Sequence, residues 1–370
     1  MSLATPVLPV YTRADVTFVE GDGCRLTAAD GRRFLDFAAG IAVVALGHRH
    51  PAPLAAAHAQ LDRLWHVSNL YWTAPMTELA ERLSARFGGS QAFFCNSGAE
   101  ANEAAIKYAR KATGKQGIVA LEGSFHGRTI GALSATGQPG KREAFEPLVP
   151  AVTFARLNDI ESLTAAVGPD TALILLEPVQ GEGGVNPAEP AFLAAAAELA
   201  AAHGALVCFD EVQTGVGRTG TFFAFEQMGT RPHLATLAKG LANGLPIGAL
   251  LVADDAPRGF EPGDHASTFG GNPVCCAAAC AVVDAVDEAL RANVRERSDQ
   301  IAAVLSVRGR GLLLGFDVGR PAGQVVADCF EHGLLTTSAG ERVLRLTPPL
   351  TVSAAEVDEA LAILAGVLEL

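Results

Sequence analysis

Four short apolar runs, AFFC (92–95), GIVALE (117–122), ALILLEPV (172–179) and ALVCFDEV (205–212), alternate with helical stretches such as TELAERLSARF (77–87). Each run is too short for a buried helix and lacks polar alternation, so each reads as a strand covered on both faces. Such strands need crossover helices between them, and the alternation therefore predicts βαβ units around a mostly parallel sheet, an α/β fold. At 370 residues the chain also exceeds what one hydrophobic core usually serves. A second, smaller domain and a cleft are expected.

The flanking segments supply that second body. Residues 16–37, VTFVEGDGCRLTAADGRRFLDF, mix β-prone residues with Gly-Asp and Asp-Gly turn pairs, which predicts a small antiparallel meander. Near residue 275 a helix begins, and RGLLLGFDV, RVLRLTPPL and a last helix from Ala354 follow, an α+β pattern. The expected division is an N-terminal segment (1–45), a large domain (46–275) and a small C-terminal domain (276–370). The net charge of -12 and the absence of a Lys/Arg run argue against nucleic-acid binding. The longest apolar stretch, around 191–202, is interrupted by Glu198 and falls short of a membrane span. The N-terminal residues lack the pattern of a secretion signal. The seven cysteines (Cys24, Cys95, Cys208, Cys275, Cys276, Cys280, Cys329) form no CxxC pair. A cytoplasmic protein with reduced thiols is expected.

In open α/β sheets ligands gather at the carboxyl ends of the strands. There the apolar runs carry polar residues, Glu177 and Asp210, and the later run LATLA leads to Lys239. The spacings of 33 and 29 positions each match about one βαβ unit, so the three side chains are expected to converge. A carboxylate for a pyridinium nitrogen and a lysine for a Schiff base are what pyridoxal phosphate requires, because its protonated ring is an electron sink. At Asn96 the first strand turns into SGAEANEAAIKYAR. Ser97 with Glu100 reads as a capping box. The alternative reading of the same turn is an anion cradle, with free amides at a helix N-terminus and Gly98 permitting close approach.

Two signals carry less. Gly215, Gly217 and Gly220 spell GxGxxG, but no amphipathic helix follows, so a dinucleotide site is not expected. His48 and His50 in GHRHP have no cysteine or carboxylate at ligand spacing, and a turn before Pro51 is the expected role; no metal is assigned.

Six motifs occur in order: SGAEANE (97–103), FHGRT (125–129), EPVQGEGG (177–184), FDEVQTGVGRTG (209–220), LAKGLANGLPIGA (237–249) and STFGGNP (267–273). Together they resemble the motif set of the class III aminotransferases, the ornithine and acetylornithine aminotransferase family, over nearly the whole chain. The resemblance implies a fold-type-I enzyme dependent on pyridoxal 5'-phosphate. Its large domain would hold a mostly parallel seven-stranded sheet, beside a smaller α+β C-terminal domain, in a homodimer with shared active sites. It further implies that Lys239 binds the cofactor covalently and shuttles protons, and that Asp210 holds the pyridine nitrogen protonated. Gln213 would lie near the phenolic oxygen and Phe125 would stack on the ring. Ser97, Gly98 and Ala99 would hold the phosphate, joined by Thr268 of the neighbouring subunit.

Arginines suit carboxylate substrates, since a guanidinium binds a carboxylate through two bonds and lysine cannot. Arg128 and Arg345 match the family's carboxylate-binding arginines, and Glu182 matches the residue that masks the second of them. The resemblance thus implies transfer of the distal amino group of N-acetylornithine, or a similar ω-amino acid, to 2-oxoglutarate. The segment GIAVVALGHRHP is similar to that of bacterial acetylornithine aminotransferases and lacks a hydroxyl at Ile41–Val44. Ornithine, succinylornithine, succinyldiaminopimelate and 4-aminobutyrate aminotransferases are the rivals, with a racemase or mutase on the same scaffold a more distant one.

Overall fold

The computed structural model describes residues 6–369; residues 1–5 and 370, the outer ends of the expected first and last segments, lie outside the described residues. The expected seven-stranded sheet forms, in the order Ser90–Cys95, Gly248–Ala253, Leu234–Leu237, Leu206–Asp210, Thr171–Leu176, Gly117–Leu121, Val152–Ala155. Gly248–Ala253 runs antiparallel to both neighbours, and the other pairings are parallel. The missing polar alternation has its cause in the two-sided cover. Leu173, Ile174, Leu175 and Leu176 are all 0% exposed, and each such burial stabilises the fold by about 2 kcal/mol. Ile174 and Leu176 face a core with Phe192 and Leu193 of the helix Pro190–His203, whereas Leu173 and Leu175 face Ala104, Ala105 and Tyr108 of the helix Gly98–Thr113.

A second sheet, antiparallel throughout, comprises Arg308–Arg310, Leu313–Asp317, Val343–Leu346 and Thr337–Ala339. The expected meander, Phe18–Asp22, Arg25–Ala28 and Arg33–Asp36, is completed by Leu334–Leu335, which pairs parallel with Leu35 and Asp36. Cys24, Leu35 and Phe37 consequently share one core with Leu314, Phe316, Leu344 and Leu364. The helix Pro273–Ala285 packs on Pro51–Leu61 and Ala74–Phe87, and Cys275, Cys276 and Cys280 join the core of the large sheet. No helix among the described residues is long and apolar enough to cross a membrane.

Between the meander and Pro51 the backbone makes one left-handed helical turn, with φ of 47°, 63°, 66° and 61° at Ala39, Gly40, Ile41 and Ala42. Side chains with a Cβ resist this conformation by about 1–2 kcal/mol each. A clamp holds it. Asp36 Oδ1 accepts from Ala38 N (3.0 Å) and Ala39 N (2.8 Å), and Asp36 Oδ2 lies 2.8 Å from His48 Nε2. Asn243 accepts from Leu46 N (2.7 Å) and donates to Gly47 O (2.9 Å). His48 is therefore a strut of this turn, and His50 caps the following helix by accepting from Ala52 N.

Candidate active site

The carboxyl ends of the parallel strands open into a cavity of about 400 Å³, which Glu177, Asp210 and Lys239 all line. Ser97, Gly98, Ala99, Phe125, Arg128, Glu182 and Gln213 line it as well, and the left-handed turn delivers Val43 to its wall. The convergence expected from strand spacing is therefore present.

At the floor, Asp210 ends its strand and is 3% exposed. Its Oδ2 accepts from Asn102 Nδ2 and lies against His126 Nδ1, both at 2.7 Å, and its Oδ1 accepts from Val212 N at 3.0 Å. Asn102 is fixed in turn by donating to His126 O (2.8 Å) and accepting from Thr236 Oγ1 (2.8 Å). Burying a carboxylate is costly unless its oxygens are satisfied, and this network satisfies them while leaving Asp210 on the cavity wall. Asn102 and His126 were not singled out from sequence, although SGAEANE and FHGRT contain them. His126 Nε2 is buried without a partner among the described residues.

Beside this floor the helix Gly98–Thr113 starts with Ser97 as N-cap, its Oγ accepting from Glu100 N at 3.2 Å. Of the expected capping box only the Ser97 half forms, because the Glu100 carboxylate accepts from Asn96 N (2.6 Å) instead of from Ser97 N, and the anion-cradle reading stands beside it. The cap occupies the third amide, and no partner is present among the described residues for Gly98 N or Ala99 N. A Cβ on Gly98 would sit 2.8 Å from both γ-methyls of Val212, so only glycine leaves room there. Two free amides at the positive end of a helix are an anion site.

Lys239 follows the strand Leu234–Leu237 with φ of 44°. Burial is the main cause that lowers its amine to about 8, Arg345 adds to the effect, and Glu182, Asp210 and Glu177 oppose it. Such an amine is partly neutral near neutral pH and can act as nucleophile and base. Glu177 joins two loops, accepting from Phe125 N (2.9 Å) and Gly181 N (3.0 Å). Its carboxyl is raised to about 7, chiefly by burial, with Asp210 adding and His126 opposing.

The opposite end of the cavity carries the arginines. Arg345 is 1% exposed and does not itself line the cavity. It donates through Nη1 to Glu182 Oε1 (2.5 Å) and Gln213 Oε1 (3.1 Å), and through Nε to Thr337 Oγ1 (3.0 Å). Burial pushes the Glu182 carboxyl upward, but the charge and hydrogen bond of Arg345 outweigh it, and the net shift is downward. Arg128, by contrast, is exposed at the cavity mouth, with Phe125 beneath it and no ion-pair partner among the described residues. One guanidinium is free and the other masked.

Thr268 is the exception. It is exposed and absent from this cavity, in a loop where Asn69 Nδ2 donates to Ser267 O and Gly270 O. The GxGxxG loop is elsewhere too. Its Arg218 is buried and donates to Leu312 O (3.0 Å) and Pro348 O (2.5 Å), which ties the loop to the C-terminal region. Pyridoxal phosphate needs an anion cradle, a carboxylate and an amine around one ring-sized space. The unpaired amides, the Val212-limited glycine, Asp210 and Lys239 meet that requirement.

Comparison with known proteins agrees with this chemistry. The sequence profile described as "Aminotransferase class-III" matches residues 9–368. The acetylornithine aminotransferase of Gloeobacter violaceus is 49% identical, covering 98% of this chain and 95% of the relative, and that of Archaeoglobus fulgidus is 45% identical, covering 97% of each. The ornithine aminotransferase of Toxoplasma gondii superposes with a TM-score of 0.92 at 30% identity, covering 98% of this chain and 92% of that one. The N-acetylornithine aminotransferase of Stenotrophomonas maltophilia superposes with a TM-score of 0.83 at 38% identity, covering 96% of each. With the motifs, the sheet and the cavity in accord, the chain belongs to the class III aminotransferases, pyridoxal-phosphate-dependent enzymes of the α/β fold-type-I class.

Proposed function

We propose that this enzyme transfers the distal amino group of N-acetylornithine to 2-oxoglutarate, giving a semialdehyde and glutamate, as a step of arginine biosynthesis. The observation that carries the reading is one free arginine on the cavity wall and a second held behind it by Glu182, which does line the cavity, since a donor with one carboxylate and an acceptor with two must use it in turn. The names of the relatives support the choice of donor.

When bound, pyridoxal phosphate supplies an electrophilic carbonyl and an electron sink. In this reading Ser97, Gly98 and Ala99 hold its phosphate, Phe125 covers the ring, Gln213 approaches the phenolic oxygen, and Asp210 keeps a proton on the ring nitrogen. His126 and Asn102 hold Asp210 in place. Lys239 takes and returns the proton at the substrate carbon that carries the amine. Arg128 binds the donor's carboxylate, and Glu182 covers Arg345 until the second carboxylate of 2-oxoglutarate displaces it.

The same reading makes the enzyme a cytoplasmic homodimer. Its support is seven free, buried cysteines and the exposed large apolar side chains Trp65, Leu70, Tyr71, Trp72 and Phe269, with Thr268 next to the last of them and exposed as well. Sedimentation showing a fully active monomer would refute the dimer. The expected division at about residues 45 and 275 belongs to the same reading, with the first segment folding onto the last. Steady-state kcat/KM for N-acetylornithine, ornithine, succinylornithine, succinyldiaminopimelate and 4-aminobutyrate tests the function. N-acetylornithine is expected to lead, and a tenfold preference for another donor would overturn the assignment.

A further inference from the structure

Behind Phe125, a residue of the cavity wall, stands a third cation that carboxylate binding does not require. Lys141, in the short helix Pro139–Arg142, is half-buried, and its Nζ lies 4.9 Å from the centroid of the Phe125 ring. Arg128 Cζ lies 5.6 Å from the same centroid. Lys141 Nζ donates to Gln138 Oε1, and Gln138 Nε2 donates to Gly123 O (3.0 Å) and Ser124 O (3.3 Å), the backbone that leads into Phe125. A lysine held in this way is not a solvated surface charge. Burial lowers its amine from the ordinary value, Arg128 and Arg345 push the same way, and Glu182 and Glu177 oppose them. The charges it feels thus include three groups of the cavity wall, Arg128, Glu182 and Glu177. Glu182 is already committed to Arg345, and Glu177 to two backbone amides. Arg128 and Lys141 leave the surroundings of Phe125 net positive.

We infer that Lys141 is a specificity-determining residue that selects amino donors whose α-nitrogen is uncharged, as in N-acylated diamino acids, over donors with a free α-ammonium. The inference rests on the proposed N-acetylornithine reading. The two kinds of donor share the distal amine and the carboxylate and differ in the α-nitrogen, an amide in one and an ammonium in the other. Because Arg128 and Lys141 lie over the same Phe125 ring, a carboxylate gripped by Arg128 leaves that nitrogen within the field of Lys141. At roughly 10 Å and an effective dielectric near 20, a second cation there costs a factor of roughly ten in relative binding. Arg128 disfavours the ammonium by the same law, but it also supplies the carboxylate contact both donors share, so Lys141 is the cation whose removal changes the selection without removing that contact.

The test is kcat/KM for N-acetylornithine and for ornithine, with saturating 2-oxoglutarate, in wild-type holoenzyme and in Lys141→Met, Lys141→Gln and Lys141→Arg. Visible absorbance verifies cofactor loading. The preference for N-acetylornithine is expected to fall about tenfold in the two neutral variants and to survive in Lys141→Arg. A purely structural lysine would slow both donors together and leave their ratio unchanged. A ratio within twofold of wild type in a loaded neutral variant overturns the inference alone. If one neutral variant fails to fold, the other decides against Lys141→Arg. A wild-type enzyme inactive with N-acetylornithine overturns the proposed donor and this inference with it.

Discussion

Removing Glu182 tests the masked arginine most directly. The ion pair joins a guanidinium that is 1% exposed to a carboxylate whose side chain is 23% exposed, at 2.5 Å. Hydrogen bonds to charged groups are worth about 1.5–3 kcal/mol, and the partial exposure of Glu182 favours the lower end, about 1.5 kcal/mol. Glutamate must break this pair to place its second carboxylate on Arg345, whereas N-acetylornithine leaves it intact. Glu182→Ala is therefore expected to shift the ratio of the two half-reactions toward glutamate by roughly tenfold. The shift should come through both a faster glutamate reaction and a misoriented ω-amino donor. Single-turnover absorbance traces with each substrate measure the ratio. Because the folded Glu182 carboxyl lies below its ordinary value, the mask is complete above the usual carboxylate range and weakens as pH falls through the folded value. The wild-type ratio should drift toward the variant's only on the acid side. An unchanged ratio in Glu182→Ala, or failure of glutamate to convert the wild-type cofactor to its amine form, refutes the switch.

Four further outcomes are expected. Lys239→Ala should abolish turnover and the borohydride-trappable link to the cofactor. In the wild-type apoprotein, cofactor capture should rise with pH to a plateau with a midpoint near 8, and at pH 7 an amine so shifted is roughly 300 times more often neutral than an ordinary lysine; a midpoint above 10 would refute the assignment. Asp210→Asn should retain cofactor yet cut kcat by orders of magnitude, because a neutral pyridine is a weak electron sink, and an undiminished kcat would show that another group holds the ring nitrogen. Gly98→Ala should weaken cofactor binding through the 2.8 Å clash with Val212; fluorescence titration should show recovery in the double variant with Val212→Ala, and no recovery would mean that the clash is not the cause.

The large sheet was legible because strands buried on both faces must be apolar throughout, and the chemistry stood out against them as polar residues at their ends. Lys239, Asp210 and Glu177 are visible for that reason. His126 and Asn102 were not, since a buried histidine and a helical asparagine look ordinary until a third group, Asp210, is seen to need them. Lys141 was hidden differently. Its neighbourhood is made by Phe125 and Glu182, which lie 16 and 41 positions away in sequence, and no local pattern reports it. The left-handed turn at Ala39–Ala42 also leaves no composition signal, because only Gly40 is a residue that favours it.

The strand pairing of Leu35 with Leu334 has a consequence for biosynthesis. A ribosome delivers the meander first and its parallel partner about 300 residues later, so the two surfaces are separated by most of the translation time. At roughly 5–20 residues per second that interval is about 15–60 s. For most of it the inward faces of Leu35 and Phe37 lack their core partners, which begin at Val294 apart from Cys24 and Ala45. The nascent chain thus carries an unmatched β-edge while the large sheet is completing, and the emergence of the last hundred residues is the event that closes it. A chain stalled before residue 334 should engage chaperones through its N-terminal residues, and one released after the final helix should not.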